Sequence, residues 1–206
     1  MRILFFIFVV VTMQSCATKK DSKKRLLPEG IQSATEERYE MVGNQKKLVS
    51  KTEMVFTKNG RIKTSKTVDG SGKVLQETKK KLWFVEETYP DKEKLYRKTR
   101  WKPKQRERIS TYAKKRDKAS EHIYHYNKDG SVDKIVDNFK SLETQYFHYS
   151  DNELTKIVTK DKDDKVIDEV VVKCTKKDEK GTFLRETRTS ALKKYKEEVV
   201  FSPVYD

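Results

Sequence analysis

Tyr124-His125-Tyr126-Asn127-Lys128-Asp129-Gly130-Ser131-Val132-Asp133-Lys134-Ile135-Val136 is the stretch that sets the fold class. Two alternating runs meet at Asp129-Gly130, and period-two alternation on either side of an Asp-Gly pair is the pattern of a β-hairpin. The same order returns after 22 to 23 residues as Phe147-His148-Tyr149-Ser150-Asp151-Asn152-Glu153-Leu154-Thr155-Lys156-Ile157-Val158, with one residue fewer in the turn. A hairpin repeated at a short fixed interval packs mainly on its neighbours.

The rest of the chain repeats this theme more loosely. Leu48–Thr57 and Arg61–Val68 flank Lys58-Asn59-Gly60, and Asp69-Gly70-Ser71-Gly72 leads to a strand from Val74. Leu82–Tyr89 and Leu95–Trp101 flank Pro90-Asp91, Arg108–Ala113 precedes a charged turn at Lys114–Lys118, and Lys177-Asp178-Glu179-Lys180-Gly181 supplies a late turn. Gly, Asn, Asp and Pro at these points provide the turn geometry, while Thr, Val, Tyr, Phe and Ile fill the strands. In one of these strands, Thr144, Tyr146 and His148 share one face and Gln145, Phe147 and Tyr149 the other. The reading is an all-β, elongated antiparallel β-meander of hairpin repeats, either single-layer or an open, barrel-like sheet. A hydrophobic content of 34% fits such a thin architecture better than a thick core.

Tyr126, Asp129, Gly130 and Val132, followed by Tyr149, Asp151 and Leu154, resemble the tyrosine, turn, glycine, aliphatic pattern of YD-type repeat proteins of bacterial envelopes. The resemblance covers roughly residues 50 to 200 and implies a β-hairpin array without implying any particular chemistry.

At the start of the chain, Arg2 precedes the apolar run Ile3–Val11 and then Thr12-Met13-Gln14-Ser15-Cys16. That is a signal-peptide layout, too short for the roughly 20 apolar residues of a membrane-crossing helix. Ser15-Cys16 resembles the end of a bacterial lipobox, although Met13 and Gln14 depart from it. The resemblance implies acylation of Cys16, which becomes the mature N-terminus. Ala17 stands where an Asp would resemble an inner-membrane retention signal, which favours the outer membrane. The domains expected are therefore a signal peptide at 1–15, a lipidated Cys and basic flexible tether at 16–34, and a repeat domain at 35–206. Five of the seven residues from Lys19 to Arg25 are cationic, a composition that strengthens attachment to anionic lipid. With Cys16 acylated, Cys174 has no partner for an internal disulfide and reads as a small buried hydrophobe in a strand.

Lys and Arg number 47 against 32 Asp and Glu, a net charge of +15, or +14 once Arg2 leaves with the signal. An exported body this basic suits acidic partners, or its interleaved charges simply solvate an exposed sheet. No G-x-S-x-G, P-loop, G-x-G-x-x-G or H-E-x-x-H motif occurs. Adjacent carboxylates such as Glu86-Glu87 point to opposite faces of a strand and do not pair as acid and base. Of the three histidines, His122, His125 and His148, the last two hold equivalent repeat positions, but a metal site would need a third ligand at defined spacing and none is visible; no cofactor is expected.

The densest cation and aromatic mixture is Trp83, Lys94, Tyr96, Arg97, Arg100 and Trp101, a combination that can stack on rings and grip phosphates. The function expected is a membrane-anchored, non-enzymatic binding or structural module for an acidic envelope polymer or a partner protein. Its partners would be the bilayer through acylated Cys16 and lipopolysaccharide, peptidoglycan or an envelope protein, with no specific nucleic acid. The alternatives are a hydrolase of envelope polymers with dispersed catalytic residues and an immunity-type protein.

Overall fold

A computed structural model describes residues 30–206 apart from 44, 59, 91–93, 103–105 and 114–116. The signal peptide, Cys16 and the tether to residue 29 lie outside the described residues, as do Asn59, the centre of the Pro90-Asp91 turn and the charged turn after Ala113.

Fourteen strands account for the regular structure of the described residues: β1 Ile31–Val42, β2 Gln45–Phe56, β3 Ile62–Asp69, β4 Val74–Lys80, β5 Val85–Thr88, β6 Leu95–Lys102 and β7 Arg106–Tyr112, then β8 Lys118–Tyr126, β9 Val132–Asp137, β10 Thr144–Ser150, β11 Glu153–Lys160, β12 Val166–Lys177, β13 Phe183–Ser190 and β14 Tyr195–Tyr205. Every strand pairs antiparallel with its sequence neighbours, and β14 pairs with β1 to close the sheet into a barrel. The antiparallel meander expected from the sequence is the observed architecture. Closure leaves no free edge among the strands. β1 takes in residues 31–34, which the sequence reading leaves in the tether, because Ile31 and Ala34 are buried.

Five connections share one loop geometry. In 57–61, 69–73, 127–131, 161–165 and 178–182 the first amide donates to the fifth carbonyl, and the fourth amide donates back to the first carbonyl. This is a three-residue hairpin loop whose fourth residue must turn left-handed. Gly60, Gly72, Gly130 and Gly181 occupy that position in four loops and Asp164, at φ 64°, in the fifth. Asp69, Asp161 and Asp178 begin their loops, and each carboxylate accepts from backbone amides two and four residues on. The shorter loop between β10 and β11 is instead a two-residue turn with Asp151 and Asn152 both at positive φ. That is the missing residue in the second copy of the repeat.

Because all connections are hairpins, the barrel has a terminal end, where the Asp206 amide donates to the Gly30 carbonyl at 2.9 Å, and a far end. Ile31, Ala34, Met54, Phe56 and Phe201 pack together near the terminal end, with Ile62 and Tyr205 against them.

Candidate functional site

The candidate site is the interior of the barrel. Strand registers carry one face of the sheet around the ring: Ile135 stands opposite Gln145, Gln145 opposite Thr159 and Thr159 opposite Asp168. One position along, Phe147 faces Ile157 and Ile157 faces Val170. Val170 in turn is level with Ser190, Glu186 with Val199, and Phe201 with Glu36. Apart from Ser190, these same-face residues line a cavity of about 760 Å³. The lumen falls within the roughly 300–1,000 Å³ that small-molecule sites occupy.

Its lining is graded along the barrel axis. On β10 the order from the terminal end is Tyr149, Phe147, Gln145; on β11 it is Leu154, Ile157, Thr159; on β12 it is Val170, Asp168; on β14 it is Phe201, Val199, Glu197, Tyr195. Each strand thus changes from apolar near the termini to polar towards the far end.

Ion pairs and hydrogen bonds hold the polar part. Arg188 lies 2.5 Å from Glu186 and 3.5 Å from Glu197, and Arg38 lies 3.0 Å from Glu36. Burial works against the Arg188 charge, but Glu186, Glu197 and Glu36 outweigh it and raise its pKa. Buried Asp168 accepts from the Ser190 hydroxyl at 2.5 Å and meets Lys193 at 3.2 Å. Burial raises the phenol of Tyr195, with Asp168 and Glu197 adding to the effect. The Tyr149 phenol is pushed up to about 12, chiefly by burial. Five carboxylates line the cavity (Glu36, Glu143, Asp168, Glu186 and Glu197) against the cations Arg38, Arg188 and Lys193. The lumen of this basic protein is therefore acidic by two charges.

The six residues singled out from the sequence do not form one cluster. Alternation and register place Tyr96 and Arg100 on the outer face of β6 and Arg97 on the inner one, and Lys94 immediately precedes the strand. Arg97 is 3.2 Å from buried Glu87, and Lys94 is 3.9 Å from Glu86. Tyr96 makes an edge contact with Phe84 at 5.4 Å, and Arg100 stands opposite Arg108. Trp101 is the strand partner of Glu107, and Trp83 is 82% exposed in the turn before β5.

The histidines are spread over the sheet. His122 and His125 lie on β8, and His148 lies two strands away on β10. His125, between Arg106 and Lys134 in the ladder, has its pKa lowered by burial and by those two cations. Among the described residues, no group of three His, Cys, Asp or Glu side chains is placed to hold a metal. Cys174 is a free thiol, half-buried rather than buried, and burial raises its pKa.

The lumen was not singled out from the sequence because no one hairpin defines it: its wall is assembled from strands far apart in the chain. The available signal was the change along alternate residues within each strand, as in Tyr149, Phe147 and Gln145.

No family model and no curated protein matches the chain. Among solved structures, the chain is similar to a LolA superfamily protein from Nitrosomonas europaea at 8% identity and a TM-score of 0.43, covering 91% of both chains. It is also similar to a DUF1329 family protein from Desulfovibrio piger at 10% identity and a TM-score of 0.35, covering 85% of this chain and 86% of the other.

Proposed function

We propose that the chain is a non-enzymatic binding module of the bacterial envelope, held at a bilayer through acylated Cys16, and that its lumen holds an amphiphilic ligand. The graded lining carries this reading. Phe147, Leu154, Ile157 and Val170 accept a hydrocarbon tail, and the polar residues beyond them receive a head group. The surplus of two carboxylates favours a neutral, zwitterionic or cationic head over an anionic one.

Binding of the uncharged probe N-phenyl-1-naphthylamine tests the proposal. Saturable fluorescence enhancement is expected, with displacement by lysophosphatidylethanolamine and weaker displacement by lysophosphatidylglycerol. Ile157→Trp, which adds bulk inside the cavity, abolishes the signal while the circular dichroism spectrum is retained. Non-saturable enhancement, or enhancement unaffected by Ile157→Trp in a folded variant, overturns it. Acylation is read separately, from the mass of the mature N-terminal peptide.

A second reading places an acidic envelope polymer on the outside of the barrel. It is favoured by Tyr96, Lys98 and Arg100 on one face of β6 and by the like-charged pair Arg100 and Arg108 across the ladder. Retention on immobilised lipopolysaccharide that falls steeply with salt supports this reading, and salt-independent retention opposes it.

A further inference from the structure

The connection between β4 and β5 is a tight turn in which the Lys81 amide donates to the Phe84 carbonyl at 2.8 Å. Leu82 and Trp83 are its two central residues, 85% and 82% exposed. The contact of Phe84 with Tyr96 pins the base of the turn, so the two apolar side chains project from a fixed support. A large aliphatic side chain next to a Trp, both held in water, is a cost that an unpartnered surface has no reason to carry.

Three further observations say what covers them. The turn lies at the terminal end of the barrel, the end at which residues 1–29 join the structure at Gly30. Its own sequence is Lys79-Lys80-Lys81-Leu82-Trp83-Phe84. The adjoining described positions at this end, Lys58, Arg61, Lys102 and Arg106, are cations, and the sequence from 57 to 61 and from 102 to 106 contains no Asp or Glu. The opposite sector of the same end is mixed in sign, with Asp129, Asp151, Glu153, Asp178 and Glu179 beside Lys128, Lys177 and Lys180. Val42 and Leu192 at the far end are exposed singly, and Leu142 and Phe139, which share the β9–β10 connection, are 48% and 39% exposed, well below Leu82 and Trp83.

We infer that the Lys81–Phe84 turn is a membrane-contact tip, with Leu82 and Trp83 entering the interfacial layer of an anionic bilayer and the surrounding lysines meeting its phosphates. Trp suits that depth because its ring is apolar and its N–H is polar, and lysines beside it add electrostatic attraction. The inference draws on the anchored reading only for the position of the tether. It adds an orientation: the apolar end of the lumen faces the lipid.

The test is quenching in vesicles of phosphatidylglycerol and phosphatidylethanolamine with brominated acyl chains, carrying the mature acylated protein. With Trp101→Phe, leaving Trp83 as reporter, emission shifts to the blue, is quenched by the brominated lipid and is protected from iodide. With Trp83→Phe, Trp101→Phe and Leu192→Trp combined, the far-end reporter stays accessible to iodide. In a separate arm, the Cys16→Ser mature chain partitions onto anionic vesicles more than onto phosphatidylcholine vesicles, and Leu82→Ser with Trp83→Ser lowers that partitioning by about tenfold or more. Iodide access to Trp83 equal to that of the far-end reporter overturns the inference, as does partitioning unchanged by the double substitution. Failure of the anchor is distinguishable, because an unmodified Cys16 in the mass spectrum leaves the second arm readable.

Discussion

Glu121 shows what a single charge contributes to this sheet. It is 4% exposed, yet it accepts from Ser110 at 2.9 Å, from Asn138 at 2.8 Å and from Lys118 at 3.0 Å. Burial pushes its pKa up, and the hydrogen bonds from Asn138, Lys118 and Ser110 outweigh burial and bring it from 4.5 to about 2. A carboxylate whose folded value lies below its unfolded one stabilises the fold fully above the unfolded value, and that contribution drains away as pH falls towards the folded one. The window is therefore pH 4.5 down to about 2. The contribution above that window is on the order of 3 kcal/mol at most. Glu121→Gln is expected to lose about 2 kcal/mol at pH 7 and to differ little from the parent near pH 2, as read from urea unfolding at both. Equal losses at both values would refute the assignment. The same scale explains why the basic aromatic group read from the sequence is not one site. Tyr96 and Arg100 have even numbers and Arg97 an odd one, and in a strand that parity alone sends them to opposite faces.

At the scale of elements, the hairpin loops carry most of what was legible in the sequence. Asp129-Gly130, Asp69–Gly72 and Lys177–Gly181 mark turns because the fourth loop residue must be left-handed, a requirement that glycine meets without steric cost. Gly181, at φ 78°, has nothing within 4 Å of where a Cβ would stand, so Gly181→Ala tests backbone strain without a clash. A loss of about 1 kcal/mol is expected, seen as a lower urea midpoint at unchanged slope. Asp164 holds the equivalent position at φ 64° with an exposed contact to Lys160, so Asp164→Gly is expected to gain up to about 0.5 kcal/mol despite the looser unfolded chain. A destabilised Asp164→Gly would show that the Lys160 contact outweighs the strain. The lumen was harder to read. A cavity wall needs the register of six or more strands at once, and bulges such as that between His148 and Tyr149 shift the parity within a strand.

Closure belongs to the whole molecule and leaves no local trace in the sequence. β1 and β14 pair from Ile31 with Tyr205 to Glu40 with Glu197, and nothing in either strand distinguishes this seam from the hairpin pairings. In a closed antiparallel barrel the position of the chain break is arbitrary, because every strand has two partners wherever the termini lie. Gly30 and Asp206 already meet through a backbone hydrogen bond, so a short Gly-Ser linker can join them. Opening the chain after Gly43 instead, at the exposed turn between β1 and β2, moves β1 to the C-terminus. The β1–β14 seam then becomes a local hairpin and β1–β2 the long-range closure. This permutant is expected to keep the sheet spectrum and probe binding, with stability within about 2 kcal/mol of the parent, since the permutation changes connection entropy and leaves the contacts in place. Deleting residues 195–206 should instead uncover the edges of β1 and β13 together and drive aggregation. Size-exclusion chromatography and urea unfolding of the two variants decide the matter. A permutant that aggregates while the deletion stays monomeric would mean that the sheet is open at the β1–β14 seam.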